Sequence, residues 1–249
     1  MLPSHAPDSC VLVLVRHGAT AANLAVPHVL QGRGLDLSLC EVGVRQAEQV
    51  AAFLAEVFEA EPSPALFSSG LKRAIETAER IESRLSLRER TRLSTAEPLG
   101  TPHREDASFR GAKGDYGERR LRTIERLHEV DTGRWEGRDY GEIVRNDPVA
   151  HQQWLDDPAK YGYPEGETIV DVANRVQPIF EALAQEHLGQ RIIVVAHNIV
   201  LRAYLARVLG IPLANYRVIT QENCCVNVLV WQAGVMTVRV MNSTWHIGI

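Results

Sequence analysis

The chain has 249 residues, 45% hydrophobic and 23% charged, enough for one ordinary soluble domain with a sizeable buried core. A formal net charge of −4 at pH 7 and a pI near 6.1 speak against a nucleic-acid or membrane-surface partner, so an anionic ligand would need a locally cationic pocket. No apolar run approaches the roughly 20 residues of a membrane span, and Val11–Val15, cut off by Arg16, is too short for a secretory leader.

Cys10, Cys40, Cys224 and Cys225 match no zinc spacing and read as reduced thiols of a cytoplasmic protein. After a loose tail over residues 1–10, Val11-Leu12-Val13-Leu14-Val15 reads as a strand buried on both faces. It stops abruptly at Arg16-His17-Gly18. Open α/β sheets bind ligands at the carboxyl ends of their strands. Arg16 offers a planar fork of donors for phosphate or carboxylate, and Gly18 is expected to let the backbone approach a bound group. The plainer alternative is a strand followed by a solvated turn.

A loop over residues 24–40 contains Gln31-Gly32-Arg33-Gly34. A helix is predicted over about 41–59, with Ala47, Val50, Ala51, Leu54 and Phe58 on one face and Pro62 and Pro64 beyond its end. Ala65-Leu66-Phe67-Ser68 reads as a second buried strand, and Ser68-Ser69-Gly70 opens a helix to about Leu85. Arg73 falls in its first turns, where a cation is mildly unfavourable unless an anion binds nearby.

Residues 88–126 form a polar, Arg-rich insertion carrying Arg104, Arg110, Lys113, Arg119, Arg120, Arg122 and Arg126. It reads either as a solvated surface segment or as a lid that adds cations over an anionic substrate. Leu127-His128-Glu129 and Gly133-Arg134-Trp135-Glu136-Gly137 follow, then a helical region to about Trp154.

Thr168 and Asp171 resemble a capping box. The next helix is expected to kink at Pro178 and stop at Gly189. Ile192-Ile193-Val194-Val195-Ala196 is a third buried strand, ending in His197-Asn198, and a helix covers about 199–209. Strands over about 224–232 and 235–241 form a hairpin across Ala233-Gly234. The alternation predicts a single domain over 1–249, a three-layer α/β/α sandwich whose mainly parallel sheet carries an antiparallel edge strand.

Three buried strands thus end in polar elements: Arg16-His17, Ser68-Ser69 followed by Arg73, and His197. In a parallel sheet these ends share one edge. The run Arg16-His17-Gly18-Ala19-Thr20-Ala21-Ala22-Asn23 resembles the signature of the histidine phosphatase superfamily, the phosphoglycerate-mutase-like proteins. The resemblance continues in order through Gln31-Gly32, Asp36, Leu39, Gly43, Gln46-Ala47, Ser68-Ser69 with Arg73-Ala74 and Thr77-Ala78, Glu129, Gly133-x-Trp135-Glu136-Gly137, Gly166-Glu167 and Val194-Val195-Ala196-His197. Asn198 stands where members commonly have glycine, and Cys40 where they have a Ser or Thr cap.

That resemblance implies His17 as a nucleophile forming a phosphohistidine, and Arg16, Arg73 and His197 around the phosphoryl oxygens. It adds Asn23, Gln31 and the Asn198 backbone as neutral donors, and Glu129 as general acid and base. The residues alone do not separate Glu129 from Glu125 or Glu136 in that role. No metal or cofactor is implied, since no His/Asp cluster has ligand spacing. The expected function is hydrolysis of a small phosphorylated metabolite. A phosphoglycerate mutase and a non-catalytic phosphate-binding domain are the alternatives.

Overall fold

Alternating faces of three apolar strands set the architecture. The computed structural model describes residues 6–58, 64–95 and 121–248. Strand β1 (Ser9–Arg16) puts Val11, Val13 and Val15 into one apolar cluster and Cys10, Leu12 and Leu14 into another. Strand β4 (Arg191–Ala196) divides likewise, with Ile193 and Val195 on the first face and Ile192, Val194 and Ala196 on the second. A sheet buried on both sides needs helices on both. After the single turn α1 (Ala21–Leu24), helices α2 (Glu41–Val57) and α3 (Lys72–Thr95) cover the first face; α6 (Ile169–Glu186) and α7 (Asn198–Val208) cover the second.

The six-stranded sheet has the order β3-β2-β4-β1-β5-β6, with β2 at Ala65–Ser68, β3 at Leu121–Thr123, β5 at Val226–Gln232 and β6 at Val235–Ser243. Strands β3, β2, β4 and β1 are parallel, and β5 and β6 run antiparallel. The expected antiparallel edge is therefore a pair of strands. Its turn is the predicted Ala233-Gly234, both at positive φ (50° and 79°), as a two-residue hairpin of that type requires.

Several expectations are refined. Helix α3 runs ten residues past Leu85, to Thr95, and Leu121–Thr123 is a strand. The ends of the 88–126 segment are therefore regular structure. Arg104, Arg110, Lys113, Arg119 and Arg120 lie outside the described residues. The helical region before Trp154 is two helices, α4 (Tyr140–Asn146) and α5 (Pro148–Asp156), because Pro148 at the second helix's first position cannot continue the first. Helix α6 passes through Pro178 as one element, its start fixed by the Thr168–Asp171 capping box.

Gly18 permits a close approach within the protein itself. A Cβ there would lie 2.5 Å from the Gly43 carbonyl oxygen, and one on Gly43 would run into the Ala19 carbonyl. The two glycines let the first turn of α2 press backbone to backbone on the chain just after His17. Cys40 N also donates to Ala19 O (3.0 Å), and Gln46 Oε1 accepts from Ala19 N (2.9 Å).

Alanine ordinarily stabilises a helical position over glycine by about 1 kcal/mol. At Gly43 the contact reverses the sign, and Gly43→Ala should destabilise by about 1–3 kcal/mol. Thermal unfolding followed by circular dichroism should show a lower midpoint, and an unchanged or raised one contradicts the contact.

Candidate active site

Because β4 lies between β1 and β2, three strand ends meet at one edge. Val15 and Ser68 both pair with Val195, and Arg16 pairs with Ala196. The chain leaves all three strands still tied together. His17 N donates to Ala196 O (3.0 Å), and Ser69 N donates to Val195 O (3.1 Å). His17, Ser69 and His197 are all buried there.

The His17 ring is oriented by its own chain. Nδ1 lies 2.7 Å from Gly18 O, an acceptor with no proton to give, so Nδ1 carries the hydrogen and Nε2 the lone pair. Arg73 Nε donates to that Nε2 at 3.3 Å. The His17 and His197 ring centroids are 5.1 Å apart. Burial, Arg73 and Arg16 hold the His17 ring well below the usual histidine pKa; burial, Arg73 and His17 do the same for His197. Both imidazoles are neutral at pH 7.

Arg73, the second residue of α3, is fully buried. Its Nη1 donates to Leu35 O (3.2 Å) and its Nη2 to Gly32 O (2.9 Å). Arg16 donates from Nη1 to Gln221 O (2.6 Å), and its buried Nε has no partner among the described residues. Burial pushes both guanidinium pKa values down, and Glu129 opposes the shift in both. Glu129 is itself buried. It accepts from Val130 N (2.9 Å) and from Ile199 N (3.2 Å) in the first turn of α7, two residues past His197. Glu125 lies instead over Gly70, and Glu136 is engaged with the 32–35 loop.

The neutral residues are more committed than expected. Asn23 spends its Oδ1 on Thr20 N (3.0 Å), which leaves Nδ2 as the donor it can offer. Gln31 is tied at both ends of its amide, to the Thr20 hydroxyl (2.6 Å) and to Leu35 O (3.1 Å), so it shapes the loop first. Asn198 starts α7, and its buried Oδ1 has no partner among the described residues. His197 Nδ1 is likewise buried without one, while its Nε2 lies 2.5 Å from Ser69 Oγ. Unpartnered polar atoms gathered at one sheet edge fit a polar ligand.

Sequence reasoning assigned no role to Ser69, or to the 221–225 turn. In that turn Cys224 N donates to Arg16 O (3.1 Å) and Asn223 Nδ2 to His17 O (3.0 Å). Ser69 belongs to the Ser68-Ser69 motif, so its residue type carries a signal in the sequence. The turn acts partly through backbone groups, which leave no trace in residue type.

The family model described as the histidine phosphatase superfamily (branch 1) matches residues 12–97 and 104–244. Phosphoserine phosphatase 1 of Hydrogenobacter thermophilus is 27% identical over 237 residues, which cover 95% of this chain and 94% of that protein. Glucosyl-3-phosphoglycerate phosphatase of Mycobacterium tuberculosis is 32% identical over 213 residues, covering 82% and 78%. The native structure of a mycobacterial glucosyl-3-phosphoglycerate phosphatase superposes with a TM-score of 0.69 at 26% identity, covering 95% of this chain and all of that one.

Two buried neutral histidines make stability depend on pH. Below about pH 6.5 the unfolded chain binds protons at both rings while the folded chain does not, so acidification favours unfolding. Their effect is absent above that pH and reaches up to about 1.4 kcal/mol per pH unit for each ring below it. The melting temperature of the ligand-free protein should fall between about pH 6.5 and 5.5, less steeply in His197→Asn. Parallel slopes in the two proteins would contradict a neutral His197.

Proposed function

Since the chain belongs to the histidine phosphatase superfamily, we propose that it is a metal-independent phosphomonoesterase acting on a small phosphorylated metabolite through a phosphohistidine on His17. The observation that carries this reading is the His17 ring itself: proton fixed on Nδ1, lone pair on Nε2, and Nε2 against the Arg73 guanidinium. Relatives named for phosphoserine and for glucosyl-3-phosphoglycerate support a small phosphorylated substrate. The four free cysteines fit a cytoplasmic setting.

Nε2 attacks phosphorus, and the bond to the ester oxygen breaks. Arg16 and Arg73 meet the negative charge on the equatorial oxygens and supply the positive charge that the transition state needs. His197, whose Nε2 is held by Ser69, is a further polar contact for that group. Glu129 gives its proton to the leaving alkoxide, then takes one from water. That water attacks phosphorus, the N–P bond breaks, and its electron pair returns to Nε2. Asn23, Gln31 and the Asn198 N–H complete the cradle as neutral donors.

Phosphate release from a panel of phosphorylated metabolites tests the activity, and an isomerised product in place of free phosphate would indicate a mutase. Rapid acid-free quench with labelled substrate should trap label on His17, and His17→Ala should abolish turnover; an active variant would overturn the assignment. Glu129→Gln should slow alkyl esters far more than aryl esters with good leaving groups, by about a hundredfold or more, the size typical of general acid catalysis. Equal slowing of both would remove Glu129 from that role.

A further inference from the structure

Glu136 carries an unusually dense set of hydrogen bonds for a half-buried side chain. Its Oε1 accepts from Gly32 N (2.7 Å) and Leu35 N (3.1 Å); its Oε2 accepts from Gly34 N (3.2 Å) and the Thr132 hydroxyl (2.8 Å). Three backbone N–H groups of one short loop converge on one carboxylate, the arrangement of an anion-binding nest with the anion supplied by the chain itself. The two glycines follow from it. A Cβ on Gly32 would strike the Val130 carbonyl and the Glu136 carboxylate, and one on Gly34 would lie 3.2 Å from Glu136 Cγ.

The same loop points carbonyls at the candidate site. Gly32 O and Leu35 O accept from Arg73 Nη2 and Nη1, and Arg73 Nε donates to His17 Nε2. A peptide plane is rigid, so tying down the loop amides restricts where these carbonyls point. The guanidinium is gripped at its two terminal nitrogens by neutral acceptors, and its third faces the imidazole.

We propose that Glu136 is a positioning residue for Arg73: its carboxylate holds the 32–35 loop in the one shape whose carbonyls aim the guanidinium at the phosphoryl site. The inference rests on the reading of Arg73 as a phosphate-binding group. Burial works against a charged Arg73, and the Glu129, Asp36 and Glu136 carboxylates all favour the cation, so Glu136 supports both the place and the charge of the group. Glu136 touches neither substrate nor water in this scheme, which separates it from Glu129.

A double-mutant cycle tests this, using wild type, Glu136→Gln, Arg73→Ala and the double variant. Turnover of p-nitrophenyl phosphate and calorimetric binding of orthovanadate are measured on all four. Glutamine keeps one acceptor oxygen but turns two donors toward loop amides. In the wild-type background Glu136→Gln should lower kcat/KM and weaken orthovanadate binding by about tenfold or more, a size typical of coupled neighbours. In the Arg73→Ala background the same change should alter either quantity by no more than about twofold, the scatter expected of independent sites.

A general structural role would cost the same factor in both backgrounds and would overturn the proposal, as would a Glu136→Gln protein that turns over and binds like wild type. Glu136→Asp, which keeps the charge, should recover part of the loss, and it takes the place of Gln in the cycle if the Gln variant does not fold. Wild type that binds orthovanadate but does not hydrolyse the ester would refute the phosphatase reading, while the binding cycle would still decide the role of Glu136.

Discussion

The insertion of β4 between β1 and β2 is the constraint on which the site depends. This order brings the residues after positions 16, 68 and 196 to one edge, although they are far apart in the chain. Parallel pairing aligns the three carboxyl ends, and the hydrogen bonds from His17 N and Ser69 N continue the ladder by one residue beyond the strands. The site therefore begins as an extension of the sheet. Its first residues inherit the rigidity of a core buried on both faces, and the glycine contact between Gly18 and Gly43 then locks α2 against the same turn.

Burial at that edge decides the protonation states. Two imidazoles buried beside the buried Arg73 and the partly buried Arg16 guanidinium groups cannot both charge and remain buried without a large penalty. The rings yield, because arginine holds its proton far more strongly than histidine. In the proposed mechanism charge and nucleophilicity are thereby divided between residue types: permanent cations to meet phosphate, neutral nitrogen to attack it. Glu129 sits close enough to favour the charge of both arginines while bonded to the first turn of α7, so one carboxylate serves the electrostatics of the whole group.

Much of this was legible in the sequence. Strands β1, β2 and β4 announce themselves as short β-branched or aliphatic runs, and the amphipathic period of α2 and α6 gives their buried faces. His17, Arg73 and His197 could be placed at strand ends from those runs alone, before any resemblance. What could not be read had a physical reason in each case. Three residues of β3 are too few to show a period, and the last turns of α3 are polar in sequence, with no apolar stripe to mark them as helix. Gly18 looked like room for a ligand because sequence shows that a glycine is needed but not what fills the space. Glu129, Glu125 and Glu136 looked alike as residues, yet the fold sends one to the α7 turn, one over Gly70 and one to the 32–35 loop.

The way the arginines are held also bears on what they can bind. Among the described residues neither Arg16 nor Arg73 forms an ion pair; their side-chain partners are the main-chain carbonyls of Gln221, Gly32 and Leu35 and the neutral His17 ring. A carboxylate in direct contact would orient a guanidinium equally well but would also cancel most of its charge. Carbonyl dipoles fix geometry while leaving a full positive charge for an incoming anion. Glu136 obeys the same logic at one remove, since its negative charge is absorbed by three backbone amides and a hydroxyl and reaches Arg73 through a neutral loop. A chain with net charge −4 can thus present a strongly cationic pocket at one sheet edge, because its site carboxylates bond to backbone amides and its site arginines to backbone carbonyls.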